Sequence, residues 1–232
     1  MVKDNLRKEQ KLYSAVSVRL PLSGQLVSDE IEIQDKRIYL VGEQHRTRDA
    51  VDYVHKNTVP LIRENPNRWM ILREGARAYL NVDSRSLLAQ FPDFFYFDQL
   101  PKVFSLPVGD PIGDITSLET QQRIVASSDL TLDEVRGWYI TCFIETNKSK
   151  MRGEKLRDAC AERLGINLDE LECAKEFAYN RSVHERLMRA WNASGRNELE
   201  RILQKYPKIK NVLASVGIAH LPLFSDKYTC IG

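Results

Sequence analysis

The chain predicts an α/β fold with a mainly parallel central sheet flanked by helices, and three observations carry that reading. Short apolar runs rich in β-branched residues alternate with longer segments of helical period. Two of the strongest runs end in the same local string: Gly42-Glu43-Gln44-His45 follows Arg37 to Val41, and Gly217-Ile218-Ala219-His220 follows Asn211 to Val216. The length of 232 residues with 43% hydrophobic content is sufficient for one domain with a sizeable core. Strands that alternate with helices favour βαβ connectivity and hence parallel pairing.

Ser14 to Leu20 alternates apolar and polar residues in the manner of a strand, and Ile31 to Ile33 with Arg37 to Val41 reads as a short hairpin leading into a buried strand. From Thr47 to Glu64, the residues Val51, Val54, Thr58, Leu61 and Ile62 recur at helical spacing, and Asn65-Pro66-Asn67 closes the segment. Trp69 to Arg73 is a second buried strand. Residues 75–101 are less regular, and the aromatic run Phe91-Pro92-Asp93-Phe94-Phe95-Tyr96-Phe97 reads as a loop or short helix covering the sheet. Lys102 to Val108 has the look of a third strand, ending at Gly109-Asp110-Pro111.

Thr131-Leu132-Asp133-Glu134 is a capping-box pattern that opens a helix running to about Thr146. A further helix is expected from about Gly153 to Leu164, stopped by Gly165. Asn167 can cap a long helix from Leu168 to about Trp191, and Asn197 to Tyr206 can form one more before the final strand. The helical middle, about 115–206, exceeds the length of one crossover. It is therefore expected as a lid-like insertion within a single α/β domain spanning 1–232. Neither a solenoid repeat nor a low-complexity linker interrupts the chain.

Lys plus Arg number 34 against 32 Asp plus Glu, a net charge of +2, which argues against wrapping by nucleic acid. Cys142, Cys160, Cys173 and Cys230 form no Cys-x-x-Cys pair and read as reduced structural thiols. The charged start lacks an apolar signal segment, and no stretch approaches the roughly 20 residues that span a bilayer. A soluble, cytoplasmic protein acting on a small-molecule or peptide substrate is expected, with no nucleic-acid or membrane partner. The oligomeric state is open.

In an open α/β sheet, the loops leaving the carboxyl ends of parallel strands converge on one crevice. The glycine at the head of each motif is expected to let the backbone turn off its strand, so that His45 and His220 point back into that crevice. Carboxylates also follow strand ends, Glu74 after the 69–73 run and Asp110 after the 102–108 run, with Glu43 inside the first motif. Two imidazoles with one or two carboxylates can hold a catalytic divalent ion that keeps a position open for water. The same groups without a metal can serve as general base and orienting acid, and spacing leaves both readings open. The blander alternatives are an ion pair with Arg73 or Arg77 for Glu74 and a turn role before Pro111 for Asp110.

Arg181 on the long helix is positioned to steady an oxyanion if it faces the crevice. His184, one turn later, and His55, within the first helix, read as surface or boundary residues. No cysteine follows a strand-end turn, and the chain has no phosphate-cradling Gly-x-x-x-x-Gly-Lys, dinucleotide fingerprint or Gly-x-Ser-x-Gly elbow.

Gly217-Ile218-Ala219-His220-Leu221 resembles the C-terminal Gly-x-x-His-Leu of TraB/TIKI-type proteins, and Val41-Gly42-Glu43-Gln44-His45 is similar to the Gly-Glu-x-His opening of erythromycin esterases and ChaN-like haem-binding proteins. The resemblance spans about residues 37–225. It implies an α/β fold in which His45, Glu74, Arg181 and His220 carry the site, with Arg186 as a competing match for the arginine. For TIKI-type relatives it implies metal-dependent hydrolysis with Mn, Co or Zn held by His45, Glu74 and His220, and with Glu43 as general base or as a partner fixing an imidazole tautomer. For ChaN-type relatives it implies haem or small-ligand binding without catalysis. Glu43 stands where the TraB/TIKI opening usually carries a small hydroxyl residue, so the implied activity is ester or amide hydrolysis in general rather than peptidase activity in particular.

Overall fold

A computed structural model describes residues 2–21, 25–43, 47–74, 84–148, 151–175 and 181–228. Among these residues, five strands form one mixed sheet in the order β1-β2-β5-β3-β4. The strands are β1 (Leu26–Ile33), β2 (Lys36–Glu43), β3 (Trp69–Arg73), β4 (Val108–Gly109) and β5 (Asn211–Gly217). β1 pairs antiparallel with β2, whereas β2 with β5, β5 with β3 and β3 with β4 are all parallel. The sequence thus predicted the class correctly, including the hairpin. Gln34 and Asp35 turn that hairpin, both with positive φ (50° and 59°), the pattern of a two-residue turn whose twist suits the flanking strands.

Because successive strand residues point to opposite faces, each inner strand supplies two cores. Ile38, Leu40, Met70, Leu72, Val212, Ala214 and Val216 face a cluster completed by Ile124, Val135, Leu187, Trp191, Leu199 and Ile202. Those partners come from α6 (Leu118–Ala126), α7 (Leu132–Asn147) and α10 (Arg181–Lys205). Val41, Trp69, Ile71 and Leu213 face the opposite layer. That layer contains α1 (Val2–Ser17), the helical segment α2 (Asp49–Tyr53) and α3 (Val59–Glu64), and α5 (Pro92–Phe104). A π-helical turn, Val54–Thr58, joins α2 to α3. α4 (Ser84–Gln90) precedes α5, and α8 (Glu154–Leu164) and α9 (Leu168–Lys175) join α7 in a satellite cluster around Cys160, Leu164 and Leu171. Among the described residues, no helix is long and apolar enough to cross a membrane.

Three expected elements differ. The segment from Ser14 lies in or just after α1 and forms no strand: Leu12, Val16 and Leu20 are buried at intervals of four while Val18 is 77% exposed, the opposite of what strand alternation requires. Lys102 to Val108 opens with helix rather than strand, since Lys102 to Phe104 form the last turn of α5. Pro92 occupies the first turn of α5, where its missing N–H costs nothing, and Asp93, Tyr96, Phe97, Leu100 and Phe104 then form one buried stripe. Ser105 ends that helix in the left-handed region at φ 56°, leaving only Val108 and Gly109 to pair with β3. Finally, α10 continues through Asn197 without a break, because Leu187, Trp191, Leu199, Ile202 and Leu203 keep one continuous buried side. The capping box at Thr131 and Glu134 forms as read, and Gly165 closes α8 at φ 64°.

Candidate functional site

β2, β5 and β3 deliver their carboxyl ends to one edge of the sheet, in register. Gly42 lies opposite Val216, Glu43 opposite Gly217, and Arg73 opposite Ser215. Gly42 and Glu43 of the first motif therefore lie beside Val216 and Gly217, where the second motif begins, on neighbouring parallel strands. Contrary to the expectation from sequence, the motif glycines do not turn the backbone: Gly42 lies within β2, and Gly217 has ordinary extended backbone (φ −60°, ψ 146°). What Gly42 permits is close approach. A Cβ there would come within 2.6 Å of Leu221 Cδ2, so the first motif packs on the residue after the second motif's histidine.

Glu74, one residue past β3, extends the ladder, its N–H donating to the Ser215 carbonyl at 3.3 Å. Its carboxylate crosses to β5, where Oε2 accepts the Gly217 N–H at 2.8 Å. The other oxygen, Oε1, stands 3.5 Å from His220 Nε2. Arg73, one of the two expected ion-pair partners of Glu74, pairs with Asp98 at 3.0 Å, and Arg77 lies outside the described residues.

His220 sits in a 3-10 turn, Ile218–Leu223, and is 4% exposed. Two adjacent residues of α10 hold its ring. Trp191 meets it edge to face at a centroid distance of 4.9 Å and anchors its own indole N–H on the Ile112 carbonyl at 2.9 Å. Asn192 Oδ1 lies 2.9 Å from His220 Nδ1, while Asn192 Nδ2 donates to the Ala219 carbonyl at 3.0 Å. Sequence reading missed both residues because it sought charged groups on this helix. The available signal was a polar Asn directly beside Trp on the mainly apolar side of the helix.

The remaining candidates fall as follows. His45 lies outside the described residues; Glu43 ends β2 and Arg181 begins α10, and the side chains of both are outside the description. Arg186 pairs with Asp129 at 3.1 Å and Glu134 at 3.5 Å, across the start of α7 rather than at the strand edge. Asp110 accepts the Gly113 N–H at 2.8 Å, the turn role weighed for it. His184 accepts the Trp138 indole N–H at 3.0 Å. His55 belongs to a separate cluster: its Nδ1 lies 2.6 Å from the fully buried carboxylate of Glu9, which also receives Arg63 at 2.6 Å, and its ring stacks on Tyr13 at 3.7 Å.

Two donors bound to one divalent ion at 2.0–2.2 Å with a tetrahedral angle stand about 3.4 Å apart. The 3.5 Å between His220 Nε2 and Glu74 Oε1 fits that span. Among the described residues no group of three or more His, Cys, Asp or Glu is placed to hold a metal ion, so this pair is a partial donor set. Compared with known proteins, the chain matches no protein-family model, no curated protein and no solved structure.

Proposed function

We propose that the chain is a hydrolase of ester or amide bonds that activates water at the carboxyl edge of the sheet, between His220 and Glu74. The observation that carries this reading is the in-register alignment of Gly42-Glu43 on β2 with Val216-Gly217 on β5, with the Glu74 carboxylate turned onto the second Gly-x-x-His motif. His45 follows Glu43 by two residues and is assigned the third donor position. A divalent ion there would be held by His45, Glu74 and His220, and would supply Lewis acidity toward water and the substrate carbonyl.

The protein's own contributions follow from the geometry. The Gly217 N–H occupies Oε2 of Glu74 and keeps the carboxylate from rotating, so Oε1 remains beside His220 Nε2. As water oxygen bonds to the substrate carbonyl carbon, its proton passes to the carboxylate assigned as general base, Glu43, and then to the leaving oxygen or nitrogen as that bond breaks. Arg181 is assigned the developing oxyanion. The near-complete burial of His220 keeps its ring out of bulk water, where electrostatic interactions weaken.

Elemental analysis of purified protein, together with hydrolysis of an activated ester and of a peptide library, tests the reading. Near-stoichiometric manganese, cobalt or zinc with hydrolysis that disappears in His220→Ala and in His45→Ala is the expected result. Wild-type rates in both variants would reject it, and a Soret band in place of hydrolysis would favour the haem-binding reading.

A further inference from the structure

We infer that Asn192 is a positioning residue that fixes a hydrogen of His220 on Nδ1, so that Nε2 is the nitrogen presented to Glu74. This deepens the proposed function, since only a deprotonated Nε2 can ligate a metal or accept a proton from water.

The inference follows from donor and acceptor bookkeeping. A backbone carbonyl can only accept, so the Asn192 atom 3.0 Å from the Ala219 carbonyl must be the amide nitrogen. The amide oxygen therefore faces His220 Nδ1 at 2.9 Å, and because that oxygen too can only accept, Nδ1 must carry the hydrogen. Turning the amide over would set two carbonyl oxygens against each other at the first contact. The opposite imidazole tautomer would set two lone pairs against each other at the second. Both Asn192 and His220 are about 95% buried, at 5% and 4% exposure, so a mispaired group there is poorly compensated by water.

Ala219 and His220 are the last two residues of the second Gly-x-x-His motif, and Asn192 clamps both with one side chain. Trp191 settles where the ring lies and Asn192 settles which nitrogen is available.

A long-range ¹⁵N–¹H spectrum of the histidine side chains in metal-free protein at pH 8 tests this directly, with His220→Gln assigning the resonance. The Nδ1–H pattern is expected in the wild type. Asn192 also lines a cavity of about 340 Å³ with Arg189, Ala193, Arg196 and Pro222, so truncation to Ala would admit water. Asn192→Leu, which fills the space without an acceptor, is the cleaner variant. It is expected to lose the Nδ1–H pattern and to weaken Mn²⁺ binding by about 10–100-fold.

Asn192→Asp keeps an acceptor for Nδ1 while placing an oxygen against the Ala219 carbonyl. It is expected to melt at lower temperature yet retain the tautomer, which a purely structural role would not produce. A wild-type ring with its hydrogen on Nε2 alone, or an unchanged Nδ1–H pattern in Asn192→Leu, overturns the inference. The tautomer spectrum needs neither metal nor substrate. A wild type that binds no metal and hydrolyses nothing therefore defeats the hydrolase reading while leaving the spectrum to decide the role of Asn192.

Discussion

Substituting Ala for Gly42 tests the packing of one motif on the other. The added methyl would lie 2.6, 2.8 and 2.9 Å from Cδ2, Cδ1 and Cγ of Leu221, against a comfortable carbon–carbon separation of about 3.5–4.0 Å. The overlap is thus roughly 1 Å on three atoms of a single side chain. Leu221 is 1% exposed and cannot swing into solvent, so the strain is taken up within the core that it shares with Val216 and Leu223. Overpacking of this kind costs about 1–3 kcal/mol. Leu221→Ala alone, which removes buried volume, should cost about 2–5 kcal/mol. In the double variant the new methyl enters the vacated space, so the combined loss should fall short of the sum by at least about 1 kcal/mol. Urea unfolding followed by tryptophan fluorescence measures all four corners of the cycle. Strictly additive losses, or a Gly42→Ala variant within about 0.5 kcal/mol of wild type, would show that the two motifs do not touch.

Glu9 is fully buried against His55 and Arg63, both of which reach solvent, so Glu9→Ala removes the buried carboxylate and leaves a partly exposed arginine; a loss of about 1–3 kcal/mol is expected in the same unfolding assay, and near-neutrality would refute the pairing. Asp29, on β1, is bound by Lys227 and Tyr228 from the chain's last described segment. Burial by itself would raise the Asp29 carboxyl, but the hydrogen bonds from Lys227 and Tyr228 outweigh it and hold the group below its ordinary value of 3.8. A depressed carboxylate contributes stability above that ordinary value and loses it as pH falls through the folded-state value. The melting-temperature advantage of wild type over Asp29→Asn should therefore be constant from pH 7 to about 4 and shrink below that, and a gap that persists undiminished into stronger acid would contradict the contact. Gly165 ends α8 at φ 64° with nothing near its missing Cβ, so Gly165→Ala should cost about 1–2 kcal/mol from backbone strain alone, and no loss in calorimetry would place the strain elsewhere.

Elements whose cues are local were legible in the chain. The Thr131 capping box, the Gly165 stop, the hairpin and the apolar runs of β2, β3 and β5 each draw on neighbouring residues for their specification, and each formed as read. The glutamate after β3 was legible for the same reason, as a carboxylate directly behind a buried run. Segments with two compatible periods were not. Val16 and Leu20 satisfy both a two-residue and a four-residue repeat, and only contact with α5 and the first helical segment selects the helix. Lys102 to Phe104 likewise joins α5 because its burial depends on the aromatic run before it.

Residue order alone thus determined the α/β class, the two motif-bearing strands and the types of chemical group at their ends, since periodicity and turn chemistry act over a few residues. The insertion of β5 between β2 and β3 aligned those ends in one row. The same long-range packing brought Trp191 and Asn192 onto a histidine 29 and 28 positions away. Such contacts arise from burial of a helix face against a sheet, and that energy depends on surfaces meeting in space rather than on any pattern within either segment.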